Sequence, residues 1–312
     1  MTSFSVDLGP NTGGHGGDGP RLAEVLGISV DNILDLSASF NPVADDPIPL
    51  ITAHLGALRH YPDDEPARLS LASTLGVEPG RIVITNGGAE AIALVAAIHP
   101  TGWAVQEDFS LYRRHLTHLD PDSPLWMSDP NNPTGKLADP SVDAFVRDEA
   151  FYVLATGQWT RGDHDGYVVG SLTKAFACPG LRIGYAIAPD EASAETLERL
   201  RPRWSVNSLV ASALPEMIDQ ATPKKWHTAI SSLRADTEQV LISHGLHPTP
   251  SDVNYLWVPD AAGVRDALMP HGILVRSGAS FGHPDAIRVA VPDGAGIERL
   301  HNALTQAKVH QE

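Results

Sequence analysis

Lys174 stands in the run GSLTKAFACPGLRIG (170–184), just after a segment that reads as a strand, with Ser171, Thr173 and Arg182 close by. An amine at a strand end, beside hydroxyls and followed by an arginine, suits a Schiff base to an aldehyde cofactor. Such an amine has to be partly desolvated to act as a nucleophile, and lysine is a residue whose pKa moves readily on burial. Ser171 and Arg182 offer a place for a phosphate, the guanidinium acting as a planar fork. Taken without its surroundings, the same run also reads as a surface lysine beside a helix-capping serine.

The elements that must position Lys174 alternate between strand and helix. Residues 81–85 (RIVIT) form a buried-type strand rich in β-branched side chains, Asn86-Gly87-Gly88 a tight turn, and 89–98 a helix. Strand, glycine turn and helix open an α/β unit. Further strands are expected at 33–37, 103–106, 145–147, 167–170 and 183–187. Helices are expected at 20–26, 66–75 and 192–201, the first two stopped by Gly27 and Gly76. Beyond residue 205 the pattern becomes helix, then strand and turn, with strands at 253–258 and 287–291 and a closing helix at 297–307.

Composition bounds the partners. The chain has 312 residues, 42% hydrophobic and 19% charged, an ordinary globular balance. Its net charge of −16 argues against a nucleic-acid surface, which needs a basic face. The longest apolar run, 91–98, is far short of the ~20 residues of a membrane span. The N-terminus shows no basic stretch followed by an apolar one, so no signal peptide is expected. Cys178 is the only cysteine, which fits a reducing cytoplasm. The 14 histidines form no close-spaced ligand set, so no metal site is expected.

Four segments in order resemble the motifs of fold-type I pyridoxal-phosphate enzymes. They are the glycine turn TNGGAEA (85–91), DPNNPTGK (129–136), DEAF (148–151) and the lysine run with its G-L-R-I-G tail. The resemblance implies an α/β fold with a large cofactor-binding domain, residues 50–205, and a small α+β domain from both chain ends, 1–49 and 206–312. It implies pyridoxal 5'-phosphate as cofactor and Lys174 as the catalytic amine. Asp148 would pair with the protonated ring nitrogen, keeping the ring an electron sink. Asn132 would donate to the phenolic oxygen, and Phe109 would stack on the ring. The N–H groups of Gly88, Ala89 and Glu90, with Ser171, Thr173 and Arg182, would hold the phosphate. Tyr61, in RHYPDD, resembles a tyrosine that reaches the cofactor phosphate of a second subunit, which implies a homodimer with composite sites.

Within that family the chain resembles the L-threonine O-3-phosphate decarboxylases of cobalamin synthesis, with histidinol-phosphate aminotransferases as near relatives. HGGD (15–18), LDLSASFNP (34–42) and ACPGLR (177–182) carry the likeness. Arg288, in AIRVAV, matches the arginine that binds the α-carboxylate. Arg276, His15 and Ser39 are the further substrate candidates. The expected reaction is decarboxylation of L-threonine O-3-phosphate to (R)-1-amino-2-propanol O-2-phosphate. The alternatives are an aminotransferase of the histidinol-phosphate type and a trimmed, weakly active paralogue that serves as a partner subunit. Glu107-Asp108 precedes Phe109 where relatives carry Pro-Thr or Pro-Ala. The chain is also short. Only residues 113–130 separate Tyr112 from the NNPTG loop, and only twelve lie between Gly135 and Asp148. Parallel strands normally need a crossover of a dozen or more residues. The large domain should therefore be abbreviated there, its sheet lacking helices or covered by other means.

Overall fold

The computed structural model describes Leu8, residues 16–162 and residues 165–309. His15 lies outside them. The described residues form two compact units, one of Ala44–Asn132 with Leu137–His227, the other from Met1–Val43, Pro133–Lys136 and Thr228–Glu312. The divisions between the units fall at 43 and inside the helix Pro223–Ser243. The later division has a packing cause. Helix Ser208–Gln220 buries Val210, Leu214 and Met217 and packs on helix Glu65–Leu75, which belongs to the larger unit.

Eleven strands run through the described residues: β1 (Leu34–Leu36), β2 (Ile82–Asn86), β3 (Thr101–Gly102), β4 (His118–Leu119), β5 (Trp126–Ser128), β6 (Val146–Asp148), β7 (Tyr167–Ser171), β8 (Ile183–Ile187), β9 (Tyr255–Val258), β10 (Ile273–Ser277) and β11 (Ile287–Ala290). None of the helices there is long and apolar enough to cross a membrane.

The larger unit holds the sheet β2-β8-β7-β6-β5. Strands β5, β6 and β7 are parallel, and β8 runs antiparallel to both β7 and β2. A short parallel pair, β3 and β4, meets the chain before β5 through the bridge Trp103–Leu125. Strands β2, β7 and β8 are almost wholly buried, as their unbroken apolar runs require of strands covered on both faces. Helix Gly88–Ile98 lies over them, and Ile92, Val95, Trp126, Val146, Val169 and Ala186 share one core.

The abbreviation expected from the spacing is present. Residues 129–145, between β5 and β6, form turns and no helix. After the short helix Ser110–His115, residues 116–125 hold only β4. Val146 and Asp148 alternate with Arg147, so Arg147 points to the opposite face. There an ion network stands in for a crossover helix. Asp129 Oδ2 accepts from Arg147 at 3.1 Å and from Arg161 at 2.9 Å. The two guanidiniums also donate to the carbonyls of Val142 and Pro140, and Asp129 Oδ1 takes the Ala138 N–H. Three side chains thus pin the shortened connection to the sheet.

The smaller unit holds the sheet β1-β10-β11-β9, with β1 and β10 parallel and the other pairs antiparallel. Leu36, Leu256, Val275, Val289 and Leu300 lie in its core.

Breaking a buried ion pair from one side costs about 3–5 kcal/mol. Asp129→Ala should therefore lower the thermal midpoint by about 10 °C for a unit of this size. Arg199→Ala, which removes the exposed pair with Glu195, should move it by no more than about 2 °C. Scanning calorimetry of the two variants checks this; shifts of equal size would show that the network does not hold the loop.

Candidate active site

Strands β2, β5, β6 and β7 all point the same way, so their carboxyl ends share one edge of the larger unit's sheet. That edge is where open α/β sheets bind ligands, because helix N-termini and strand-end loops gather there. Here it collects the glycine turn after β2, Ser128 at the end of β5, Asp148 at the end of β6, and Ser171 with Lys174 after β7.

Lys174 is half-buried in the short helix Leu172–Ala175, directly after β7. Thr173 beside it is buried and donates its hydroxyl to the Ile183 carbonyl at 3.4 Å, so that hydroxyl faces β8. The loop that follows is conformationally unusual. Ala177 and Arg182 both adopt left-handed backbone, at φ 48° and 59°. Residues other than glycine rarely do so, at a cost of about 1–3 kcal/mol, and functional loops are a common setting.

The turn between β2 and helix Gly88–Ile98 is shaped for close approach. Gly87 has φ 82°, and a Cβ there would lie 2.4 Å from an Arg182 guanidinium nitrogen. A Cβ on Gly88 would meet Ser171 Cβ at 3.2 Å. The first-turn N–H groups of Gly88 and Ala89 therefore open beside Arg182 and Ser171, at the positive end of an 11-residue helix. Glu90 plays a different part. Its N–H donates to the Gly87 carbonyl at 3.2 Å, and its carboxylate accepts from the Asn86 N–H at 2.7 Å and the Ser205 hydroxyl at 3.1 Å. Glu90 closes the helix start, which leaves two N–H groups rather than three for an anion.

Asp148 is 8% exposed and accepts from the Tyr112 hydroxyl at 2.8 Å and the Ala150 N–H at 2.9 Å. Burial pushes its carboxyl up to about 6 against those two donors. Tyr112 is fully buried, and burial with the neighbouring Asp148 and Asp108 charges drives its hydroxyl well above its ordinary range. Phe109 is half-buried and meets Tyr112 edge-on, at 5.7 Å between ring centres. Asn132 is buried and donates its backbone N–H to Ser128 Oγ at 2.8 Å. Sequence reasoning missed Tyr112 and Ser128. Tyr112 lies three residues beyond Phe109, one helical turn, and that spacing was the available signal.

In the smaller unit, Arg276 on β10 and Arg288 on β11 are register partners, so their side chains leave the same face. Each guanidinium lies over a ring: Arg276 over Phe281 at 4.5 Å and Arg288 over Tyr255 at 4.7 Å. Arg276 donates to Ser280 Oγ at 3.3 Å, and Arg288 to the Ser37 carbonyl at 3.1 Å. Burial, then the Arg288 charge, lowers Arg276 to about 9, and burial lowers Arg288 to about 10. Both stay cationic at neutral pH. Ser39 is fully buried, its carbonyl accepting from Asn254 at 3.0 Å while its hydroxyl meets no partner among the described residues. Tyr61, in the larger unit, is 78% exposed and stacks on Trp204 at 4.7 Å.

Pyridoxal phosphate needs an amine, an anion cradle and a buried carboxylate. The larger unit supplies each at one sheet edge, and the glycine cradle, which a Cβ would fill, fits a phosphate.

A family model described as aminotransferase class I and II matches residues 104–304. The threonine-phosphate decarboxylase of Salmonella typhimurium is 30% identical, over 93% of this chain and 95% of that protein. Histidinol-phosphate aminotransferase 1 of Dechloromonas aromatica is 28% identical, over 91% of this chain and 93% of that protein. That alignment runs over 345 positions, more than the 312 residues available, so the relative carries segments that this chain lacks. Among solved structures, a histidinol-phosphate aminotransferase from Sinorhizobium meliloti in complex with pyridoxal-5'-phosphate superposes with a TM-score of 0.78. It covers 93% of this chain and 94% of that one at 21% identity.

The Asp148 carboxyl gives a pH prediction for the cofactor-free protein. Its folded value, about 6, lies above the ordinary 3.8, so the folded state holds the proton more tightly. Its contribution to stability is full below about pH 4 and is lost as the pH rises through about 6. Asp148→Asn should gain stability relative to the parent across that window and stay level above it. Urea unfolding at several pH values measures the difference; a difference that does not change with pH would refute the assignment.

Proposed function

The chain belongs to the class I and II aminotransferase family, and on that premise we propose that it decarboxylates L-threonine O-3-phosphate to (R)-1-amino-2-propanol O-2-phosphate, with pyridoxal 5'-phosphate as cofactor. The observation that carries the substrate class is the Arg276–Arg288 pair. Two buried guanidiniums on one face suit a small molecule with two anionic groups, here a carboxylate and a phosphate. The reading takes Arg288 for the α-carboxylate and Arg276 for the phosphate, with Ser39 and His15 as further candidates.

The bound cofactor supplies an electron-accepting ring that stabilises the negative charge developing at the substrate Cα. Lys174 would be the amine that holds the cofactor and the group that returns a proton to the substrate Cα. Asp148 would keep the ring nitrogen protonated. Asn132 would donate to the phenolic oxygen and Phe109 would stack on the ring. Gly88, Ala89, Ser171 and Arg182 would hold the phosphate, with Thr173 setting the turn between β7 and β8. Arg288 would bind the substrate carboxylate, the group that leaves as CO2 in the proposed reaction.

The exposed Tyr61–Trp204 pair supports a homodimer in which a second copy covers these rings. The lone, buried Cys178 supports a reducing compartment, the cytoplasm. A second reading, transamination of the histidinol-phosphate type, draws support from the name carried by the Dechloromonas aromatica relative.

Mass spectrometry of the purified protein with pyridoxal phosphate and L-threonine O-3-phosphate, without keto acid, tests the reaction. The decarboxylated amine phosphate is the expected product. Its absence, with product from histidinol phosphate only when a keto acid is supplied, would establish the second reading. No visible absorbance on adding the cofactor would leave the partner-subunit alternative. Lys174→Ala should keep cofactor affinity through the phosphate cradle and lose turnover; near-normal turnover would overturn the role of Lys174. Arg288→Ala should lower kcat/KM by about 10- to 150-fold, the worth of a charge-assisted hydrogen bond; an unchanged value would remove Arg288 from the carboxylate site.

A further inference from the structure

Asp108 is a second buried carboxylate at the same sheet edge, and the reaction above gives it no part. It is 2% exposed. Its Oδ1 accepts from the Phe109 N–H at 2.6 Å and from the Ser128 hydroxyl, and its Oδ2 accepts from the Ser128 N–H at 3.0 Å. Ser128 is the register partner of Asp148 across β5 and β6. Ser128 Oγ also takes the Asn132 N–H at 2.8 Å. One short chain of bonds thus runs from Asp108 through Ser128 to Asn132, beside Asp148.

We propose that Asp108 is a positioning residue for the cofactor ring: it fixes the Asn132 turn through Ser128, and its charge strengthens the proton held between Asp148 and the ring nitrogen. The inference rests on the assignment of Asp148 to that nitrogen. The ionisable groups set against Asp108 are the Asp148 carboxylate at the end of β6 and the Tyr112 hydroxyl on helix Ser110–His115. Burial pushes Asp108 up to about 6, and the Asp148 charge adds to it. Two carboxylates confined this closely resist ionising together, and a cation placed against one of them relieves both. A protonated ring nitrogen is such a cation. Without Asp108, less negative charge remains to hold its proton.

The test is made with the full chain loaded with pyridoxal 5'-phosphate labelled with 15N in the ring, its nitrogen signal followed as the pH rises. Asp108→Asn should lower the midpoint of nitrogen deprotonation by about one pH unit. Asp148→Asn is the control and should lower it further. A purely structural role for Asp108 would loosen the cofactor and leave the midpoint in place. That result, with the control shifted, overturns the proposal alone. If neither variant moves the midpoint, the Asp148 assignment falls and this inference falls with it. Asp108→Thr gives the same readout should the asparagine variant fail to fold, and an unmoved midpoint there is equally fatal.

Discussion

A buried carboxylate must be satisfied from the protein side, the more so where, as proposed for Asp148, it is to keep a ring nitrogen protonated. Much of the larger unit follows from that constraint at Asp148. Its position at the end of β6 puts it at the carboxyl edge of the sheet, within reach of groups from neighbouring elements. Helix Ser110–His115 is placed so that Tyr112, itself fully buried, spends its hydroxyl on Asp148. The Ala150 N–H closes the other oxygen. The β5 strand enters beside β6, and Asp129 extends the pairing by donating its N–H to the Asp148 carbonyl at 2.8 Å. The turn that carries Asn132 is therefore anchored to the strand end that carries Asp148.

The other face of β6 shows what replaces a lost crossover helix. An apolar helix covers a sheet by area, without fixing any one atom. The ion network does the reverse, covering little area and defining positions closely. Asp129 is at once the acceptor for Arg147 and Arg161 and the residue that leads into the Asn132 turn. The short connection thus gains directional bonds where it lost apolar contact. Buried ion pairs contribute little net stability over apolar packing, since desolvation offsets their attraction. Their value at this place is geometric, holding a 17-residue connection of turns in one conformation next to the site.

Much of this was legible in the residues, because the chemistry at a strand end needs fixed residue types at fixed spacing. The glycine turn, Lys174, Asp148 and Asn132 all fall at the same sheet edge. Other features had no local signal. Strands β5 and β10 went unread: β5 is three residues long, and the polar end of β10, Arg276-Ser277, reads as a strand-to-loop junction. The strand expected at 103–106 lies two residues earlier, at Thr101–Gly102, and Trp103 makes only an isolated bridge to Leu125. Helix Ser208–Gln220 holds Pro215 within it, a residue that ordinarily ends a helix, and its packing on Glu65–Leu75 overrides that preference. Arg147 and Arg161 were invisible as a pair, since they meet at Asp129 from 18 and 32 residues away.

The arrangement of charge carries the argument one step further. A chain with a net charge of −16 repels anions at long range, so it gains no steering for an anionic guest. Selection has to come from short-range contacts that screening hardly touches. Arg276 and Arg288 have the required form. They are desolvated, lie over the rings of Phe281 and Tyr255, and are pushed by burial to about 9 and 10, still protonated at neutral pH. Two cations confined side by side carry mutual repulsion that one dianionic guest relieves at both forks. A guest with a single anionic group leaves one of them unrelieved, which is why the pair suits the doubly anionic substrate proposed above. The same logic, with signs reversed, underlies the proposal for Asp108 and Asp148 in the larger unit, where two carboxylates are packed at one sheet edge.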